Sequence, residues 1–145
     1  MNGSETHLDE TDIKRFLAAL PFLREFGFSV VASVSGSVVV EMPYAERFSG
    51  PAGVFPASMV GTLGDVAAVS SSLSMLPKGW GVATLDFTIK MTGVARGEKL
   101  RVRGRVLQAG KTVSVAAADV FVVSSAAETL CGTVLATTRN FPIKT

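Results

Sequence analysis

The stretch ASMVGTLGDVAAVSSSLSML, residues 57–76, decides how this chain is read. It contains no proline and one charged residue, Asp65. The run predicts one helix of about 20 residues, roughly 30 Å long at ~1.5 Å per residue. Its faces are apolar or small all round, and a helix of that kind is buried rather than laid on a surface. Gly61 and Gly64 each cost about 1 kcal/mol relative to alanine in a helix interior. Together with Ala67, Ala68, Ser70, Ser71 and Ser72 they thin the helix. That thinning predicts another element packed very close against it.

Upstream, residues 43–56 hold three prolines and two glycines and form a loop. Before it, residues 26–34 and 37–42 are β-branched runs broken by Ser35-Gly36, which predicts a hairpin. Residues 12–20 carry apolar side chains at 13, 16, 17 and 20, a helical spacing. Asp12 or Thr11 is its expected N-cap, and Pro21 its expected end. Residues 1–11 are polar and are expected to be a flexible leader to a single domain spanning 1–145. Downstream, strands are predicted over 81–91, 100–107, 113–123 and 129–138, with turns at 108–111 and 124–127. In 81–91, Ala83, Leu85, Phe87, Ile89 and Met91 alternate against Thr84, Asp86, Thr88 and Lys90. This period of two indicates an antiparallel sheet with one covered face. The order of elements contains no βαβ alternation, so the class is α+β rather than a doubly wound parallel sheet.

Composition narrows the chemistry. The 145 residues are 48% hydrophobic and 18% charged, which leads us to expect apolar surface covered by a partner subunit. Cys131 is the one cysteine, so no intrachain disulfide forms and a reducing cytoplasm is expected. The uncharged run 66–77 is too short for a bilayer span of ~20 residues, so no membrane partner is expected. The single histidine, His7, lies in the polar leader, which argues against a zinc site or a Ser-His-Asp triad. No metal is therefore expected.

Several segments resemble one family. Residues 60–68 (VGTLGDVAA) are similar to the start of the central helix of PaaI-like acyl-CoA thioesterases, which have the hotdog fold. Residues 81–91 (GVATLDFTIKM), 95–98 (ARGE) and 106–112 (VLQAGKT) resemble that family's third, fourth and fifth strands and their turns. The resemblance covers about residues 22–140. It implies an antiparallel sheet wrapped around a long central helix, and hydrolysis of an acyl-CoA thioester with no cofactor beyond the coenzyme A of the substrate. It also implies that Asp65 acts as general base or nucleophile, with Thr84 near the attacking water. The backbone N–H of Ala57, eight residues before Asp65, would polarise the carbonyl from the opposite subunit of a homodimer, with a dimer of dimers as the further expectation. The chain departs from the pattern at Pro56-Ala57-Ser58, where the family carries His-Gly-Gly, and 47–56 lacks the family's loop asparagine.

The residues themselves support part of this. Asp65 stands alone in an otherwise uncharged window, 62–73. A lone carboxylate in a buried helix is costly unless it is paired or used. Its structural alternative is satisfaction by neighbouring hydroxyls or an arginine. Burial raises its pKa, while helix and hydroxyl donors lower it. The serines at 70–72 read as small residues that bond back to the preceding turn. Phe48, Val54, Phe55 and Met59 cluster near the helix start and, with Ser58, suggest a site for an apolar acyl or aryl group. Six of the 14 basic residues fall between 96 and 111, against one acid, Glu98. Arg96 and Lys111 lie in turns and are the expected partners of coenzyme A phosphates, while Arg101, Arg103 and Arg105 alternate on a solvated strand face. Two other readings compete with hydrolysis. One is an acyl-CoA or fatty-acyl binding module without catalysis. The other is a nucleic-acid binder, ranked third because no aromatic residue interleaves the arginines for base stacking.

Overall fold

The computed structural model describes residues 6–145. Helix α1 (Glu10–Ala18) opens on a capping box. The Asp9 carboxylate accepts from the Asp12 N–H at 2.9 Å, and that of Asp12 accepts from the Asp9 N–H at 3.0 Å. The helix therefore begins before Thr11, and Asp12 is its third residue instead of its cap. Pro21 separates α1 from a short second helix, α2 (Pro21–Glu25), and also opens it, because proline at the first helical position forfeits no hydrogen bond. Ile13, Leu17 and Leu23 anchor the pair in the core. The expected flexible leader is structured from Thr6 onward. His7 forms a β-bridge with Pro77, and the Leu8 N–H donates to the Leu76 carbonyl at 3.1 Å. The leader's residues 1–5 lie outside the described residues.

Strands β1 (Ser29–Val34) and β2 (Ser37–Pro43) form the expected hairpin, with Gly36 at φ +83° in its turn. The proline-rich loop contains one 3-10 turn (Glu46–Phe48) and leads into the central helix α3 (Ala57–Leu73). Strands β3 (Trp80–Met91), β4 (Lys99–Gln108), β5 (Val113–Ser124) and β6 (Ala127–Pro142) follow. All six strands join one antiparallel sheet in the order β1-β2-β4-β5-β6-β3, so β1 and β3 are its edges. The sheet curls around α3, which packs against every strand from β2 to β6. Among the described residues no helix is long and apolar enough to cross a membrane.

The small residues of α3 have the predicted consequence. A Cβ on Gly64 would come within 2.3 Å of a Val134 methyl on β6. From the sheet side, a Cβ on Gly104 of β4 would come within 2.3 Å of the Ala67 carbonyl oxygen. Helix and sheet backbones thus meet at Gly104, and at Gly64 a sheet side chain rests on the helix backbone. The serines tie the far end of α3 in place. Ser71 Oγ donates to the Ala67 carbonyl at 2.8 Å and accepts from the Val38 N–H at 3.1 Å, while Ser74 Oγ accepts from the Gly36 N–H at 2.8 Å.

Candidate active site

Most of α3 is buried, and the exception is a single stripe. Ser58, Thr62, Asp65 and Val69 recur at helical spacing and are the less buried positions from the second residue onward. Asp65 sits in the middle of that stripe. Its Oδ1 accepts a 3.0 Å hydrogen bond from Thr84 Oγ1 on β3. Strict alternation would not permit this contact, because it places Thr84 on the face opposite Phe87 and Ile89. A bulge resolves the conflict. Thr84 pairs with Thr138 and Asp86 with Thr137, leaving Leu85 unpaired. Before the bulge, Val82 and Thr84 face α3; after it, Phe87 and Ile89 do, both within 3.5 Å of where a Gly61 Cβ would stand. Burial pushes the Asp65 carboxyl above the ordinary aspartate range, and the Thr84 bond partly opposes that rise. Among the described residues Asp65 Oδ2 has no hydrogen-bond partner, so it remains available to a water or a substrate.

Asp65 and Thr84 open into a cleft of about 170 Å³. Phe16, Leu17, Leu20 and Phe22 from α1 and the start of α2 form one wall, and Val66, Val69 and Val82 form the other. Reading the sequence assigned no site role to the first helix, although the exposed aromatic side chains at 16 and 22 were a usable signal. Phe55 and Met59, where an acyl site was expected, are core residues only 3% and 9% exposed. The Phe55 ring meets Tyr44 edge-on with centroids 5.5 Å apart. Ser58 is exposed, and its carbonyl accepts from Thr62 Oγ1. None of the three lines the Asp65 cleft.

The start of α3 is bare. Pro56 is its N-cap with φ −68° and ψ 154° and supplies no side-chain acceptor. Among the described residues no acceptor meets the N–H of Ala57 or Ser58, so the helix presents unpaired donors and a partial positive charge there. Eight residues of rise put the Ala57 N–H about 12 Å along the axis from Asp65. In one chain, the two cannot reach the same carbonyl group.

No protein-family model matches the sequence, and no curated protein matches it either. Solved structures do match. A thioesterase family protein from Silicibacter pomeroyi superposes with a TM-score of 0.87 at 25% identity, covering 90% of this chain and 96% of its own. A thioesterase from Haemophilus influenzae gives 0.82 at 16% identity, over 97% and 96% of the two chains. A mutant thioesterase enzyme from Staphylococcus aureus gives 0.76 at 18% identity, over 85% and 100%. The fold is the hotdog of the thioesterase family.

On this hotdog scaffold the basic residues divide. Arg96 stands beside the loop that delivers α3, where its Nη1 donates to the Ala52 carbonyl at 3.1 Å. Lys111 stands with His7, Pro77 and Trp80 at the opposite end of the helix. A 17-residue helix separates them by roughly 25 Å, so the structure does not bring the two together. The β4 arginines are tied to acids on three other strands of the hotdog sheet, β2, β5 and β6. Arg101 bonds Glu41 and Glu128, Arg103 bonds Glu128, and Arg105 bonds Asp119. Arg103 and Arg101 together hold the Glu128 carboxyl down at about 2. Phe121 lies under Arg103, with the guanidinium 4.8 Å from its ring centroid, so one aromatic from β5 does stand against the arginine stripe. Cys131 is a core residue whose thiol burial pushes up to about 11, far from a reactive thiolate.

Proposed function

We propose that the protein hydrolyses an acyl-CoA thioester to a free acid and coenzyme A, with Asp65 as general base. The observation that carries the reading is Asp65 itself: a partly buried carboxylate, oriented by Thr84 and facing an apolar cleft. In this scheme Oδ1 is held by Thr84, and Oδ2 takes a proton from water as the water oxygen attacks the thioester carbonyl carbon. Negative charge then develops on the carbonyl oxygen. The carbon–sulfur bond breaks, and the proton held on Asp65 Oδ2 passes to the departing thiolate of coenzyme A, which returns Asp65 to its carboxylate form. The resemblance to thioesterases assigns the oxyanion to the Ala57 N–H, a donor of the kind whose loss costs roughly 3–4 kcal/mol of transition-state stabilisation.

The 12 Å gap makes a second copy part of the proposal. β3 is an unpaired edge carrying exposed Leu85, Phe87 and Met91. An open apolar edge is a template for pairing with another strand. We assign a two-fold dimer to that edge, in which Asp65 of one copy and the Ala57 N–H of the other flank one thioester. Arg96, on the Ala57 side, is the better placed of the two turn residues for a coenzyme A phosphate. The reaction draws on water alone and suits the cytoplasm, where acyl-CoA substrates are made and used.

The alternative reading is an acyl-CoA or fatty-acyl binding module without catalysis, favoured by Pro56-Ala57-Ser58 standing where the resembled family carries His-Gly-Gly. Steady-state hydrolysis of short, medium, long and aryl acyl-CoAs, followed with a thiol-trapping dye, separates the two. The expected outcome is turnover that falls about 10²–10⁴-fold in Asp65→Asn, the contribution typical of a positioned general base. Folded protein that turns over no member of the panel would leave only acyl-CoA binding.

A further inference from the structure

We infer that the α1–α2 pair caps the acyl pocket and limits the acyl group to about the size of one six-membered ring or a six-carbon chain, with Phe16 and Phe22 as the specificity-determining side chains. The inference rests on the Asp65 cleft being the acyl site.

Three observations point there. The cleft of about 170 Å³ has Asp65 and Thr84 at one side and an otherwise apolar lining, interrupted only by Ser70, whose hydroxyl donates to the Val66 carbonyl at 2.6 Å. An apolar protein cavity of ~150 Å³ holds a single benzene molecule, so a ring or a short chain fills the walled part of this cleft, which is open to solvent beyond it. Second, Phe16 and Phe22 remain 36% and 46% exposed while their neighbours Ile13, Leu17 and Leu23 are buried. The helix pair is thus anchored by one set of apolar side chains and turns another toward the carboxylate.

Third, the wall is braced from behind. The Phe22 ring meets Phe26 edge-on at 5.9 Å, and Phe26 meets Phe48 in the same way at 4.9 Å. Arg47 lies over Phe48 and donates to the Glu25 carbonyl at 2.8 Å, fixing the end of α2. At the other end, Lys78 reaches Asp12 at 3.5 Å and the capping box closes α1. A longer chain must displace an anchored helix pair or leave the cleft past Phe16 and Phe22 into water.

S-alkyl-CoA thioethers test this without depending on catalysis, because they lack the hydrolysable carbonyl. Titration calorimetry with alkyl chains of two to twelve carbons is expected to show affinity rising about fourfold per methylene and levelling near six carbons in the unmodified protein. In Phe16→Ala/Phe22→Ala the rise should continue for several further carbons, and Phe22→Trp should bring the break to a shorter chain. Affinity that climbs unbroken to twelve carbons, shows no length dependence, or breaks at the same length in all three proteins would overturn the inference. A moving break without any acyl-CoA turnover would uphold the pocket and reject the hydrolase reading.

Discussion

At Asp65 a single proton decides both rate and stability. Burial raises its pKa and the Thr84 hydroxyl lowers it. A general base works only when ionised, so the hydrolysis rate should rise with pH and level off above an inflection that lies higher than the ordinary aspartate value of ~3.9. Thr84→Val removes the donor that favours the charged form, and the acid limb should move to higher pH, whereas Thr84→Ser should restore it. A pH–rate profile of the three proteins checks this, and an unmoved limb would remove Thr84 from the site. The folded protein also holds the Asp65 proton more tightly than the unfolded chain does. Its contribution to stability is therefore complete below the unfolded pKa and is lost as pH rises through the folded pKa. Asp65 was legible in the sequence because it is the only charge in a long apolar window. Its partner was legible only through family resemblance, since plain alternation turns Thr84 to the other face.

At the scale of elements, the fold depends on how closely α3 approaches the sheet. Gly104→Ala would place a methyl 2.3 Å from the Ala67 carbonyl oxygen, a backbone atom that cannot rotate away. The expected cost is ~1–3 kcal/mol or more, seen as a lower urea midpoint. Gly93→Ala meets nothing nearer than the Leu130 carbonyl at 3.6 Å and should stay within ~0.5 kcal/mol. Equal losses at both positions would mean that close approach is not what holds glycine at 104. Helix composition announced that something came near, because each glycine there opposes helix propensity. It could not name Gly104, which in sequence is one residue of an arginine-rich strand. Every strand of the sheet was nonetheless legible to within a few residues, since period-two alternation is a direct imprint of the covered face.

For the whole molecule, the question is whether one catalytic centre spans two chains. Ala57→Pro deletes the proposed oxyanion N–H at a first helical position, where proline is tolerated, and Pro56 already has the extended ψ of 154° that a following proline requires. Alone, Ala57→Pro and Asp65→Asn should both be nearly inactive. Mixed by joint refolding, half the dimers are heterodimers with one intact centre of two, so about a quarter of the activity should return. No recovery, with mixed dimers verified by mass, would place both groups in one chain. This level was the least legible from sequence. Strand order depends on pairings far apart in the chain, so nothing local shows that β3 is an edge. The acids that occupy the β4 arginines, Glu41, Asp119 and Glu128, likewise come from three other strands. A charge count over residues 96–111 could not see them.

The unpaired Leu85 acts as a phase shift. Removing Leu85 would restore unbroken alternation with Thr84 and Phe87 both still facing α3, because the bulge absorbs the odd spacing between them. A residue lost from a regularly paired stretch, such as Ala83, would instead set Val82 and Thr84 on opposite faces. Descent of this centre is therefore constrained by where a strand changes length as firmly as by its spelling.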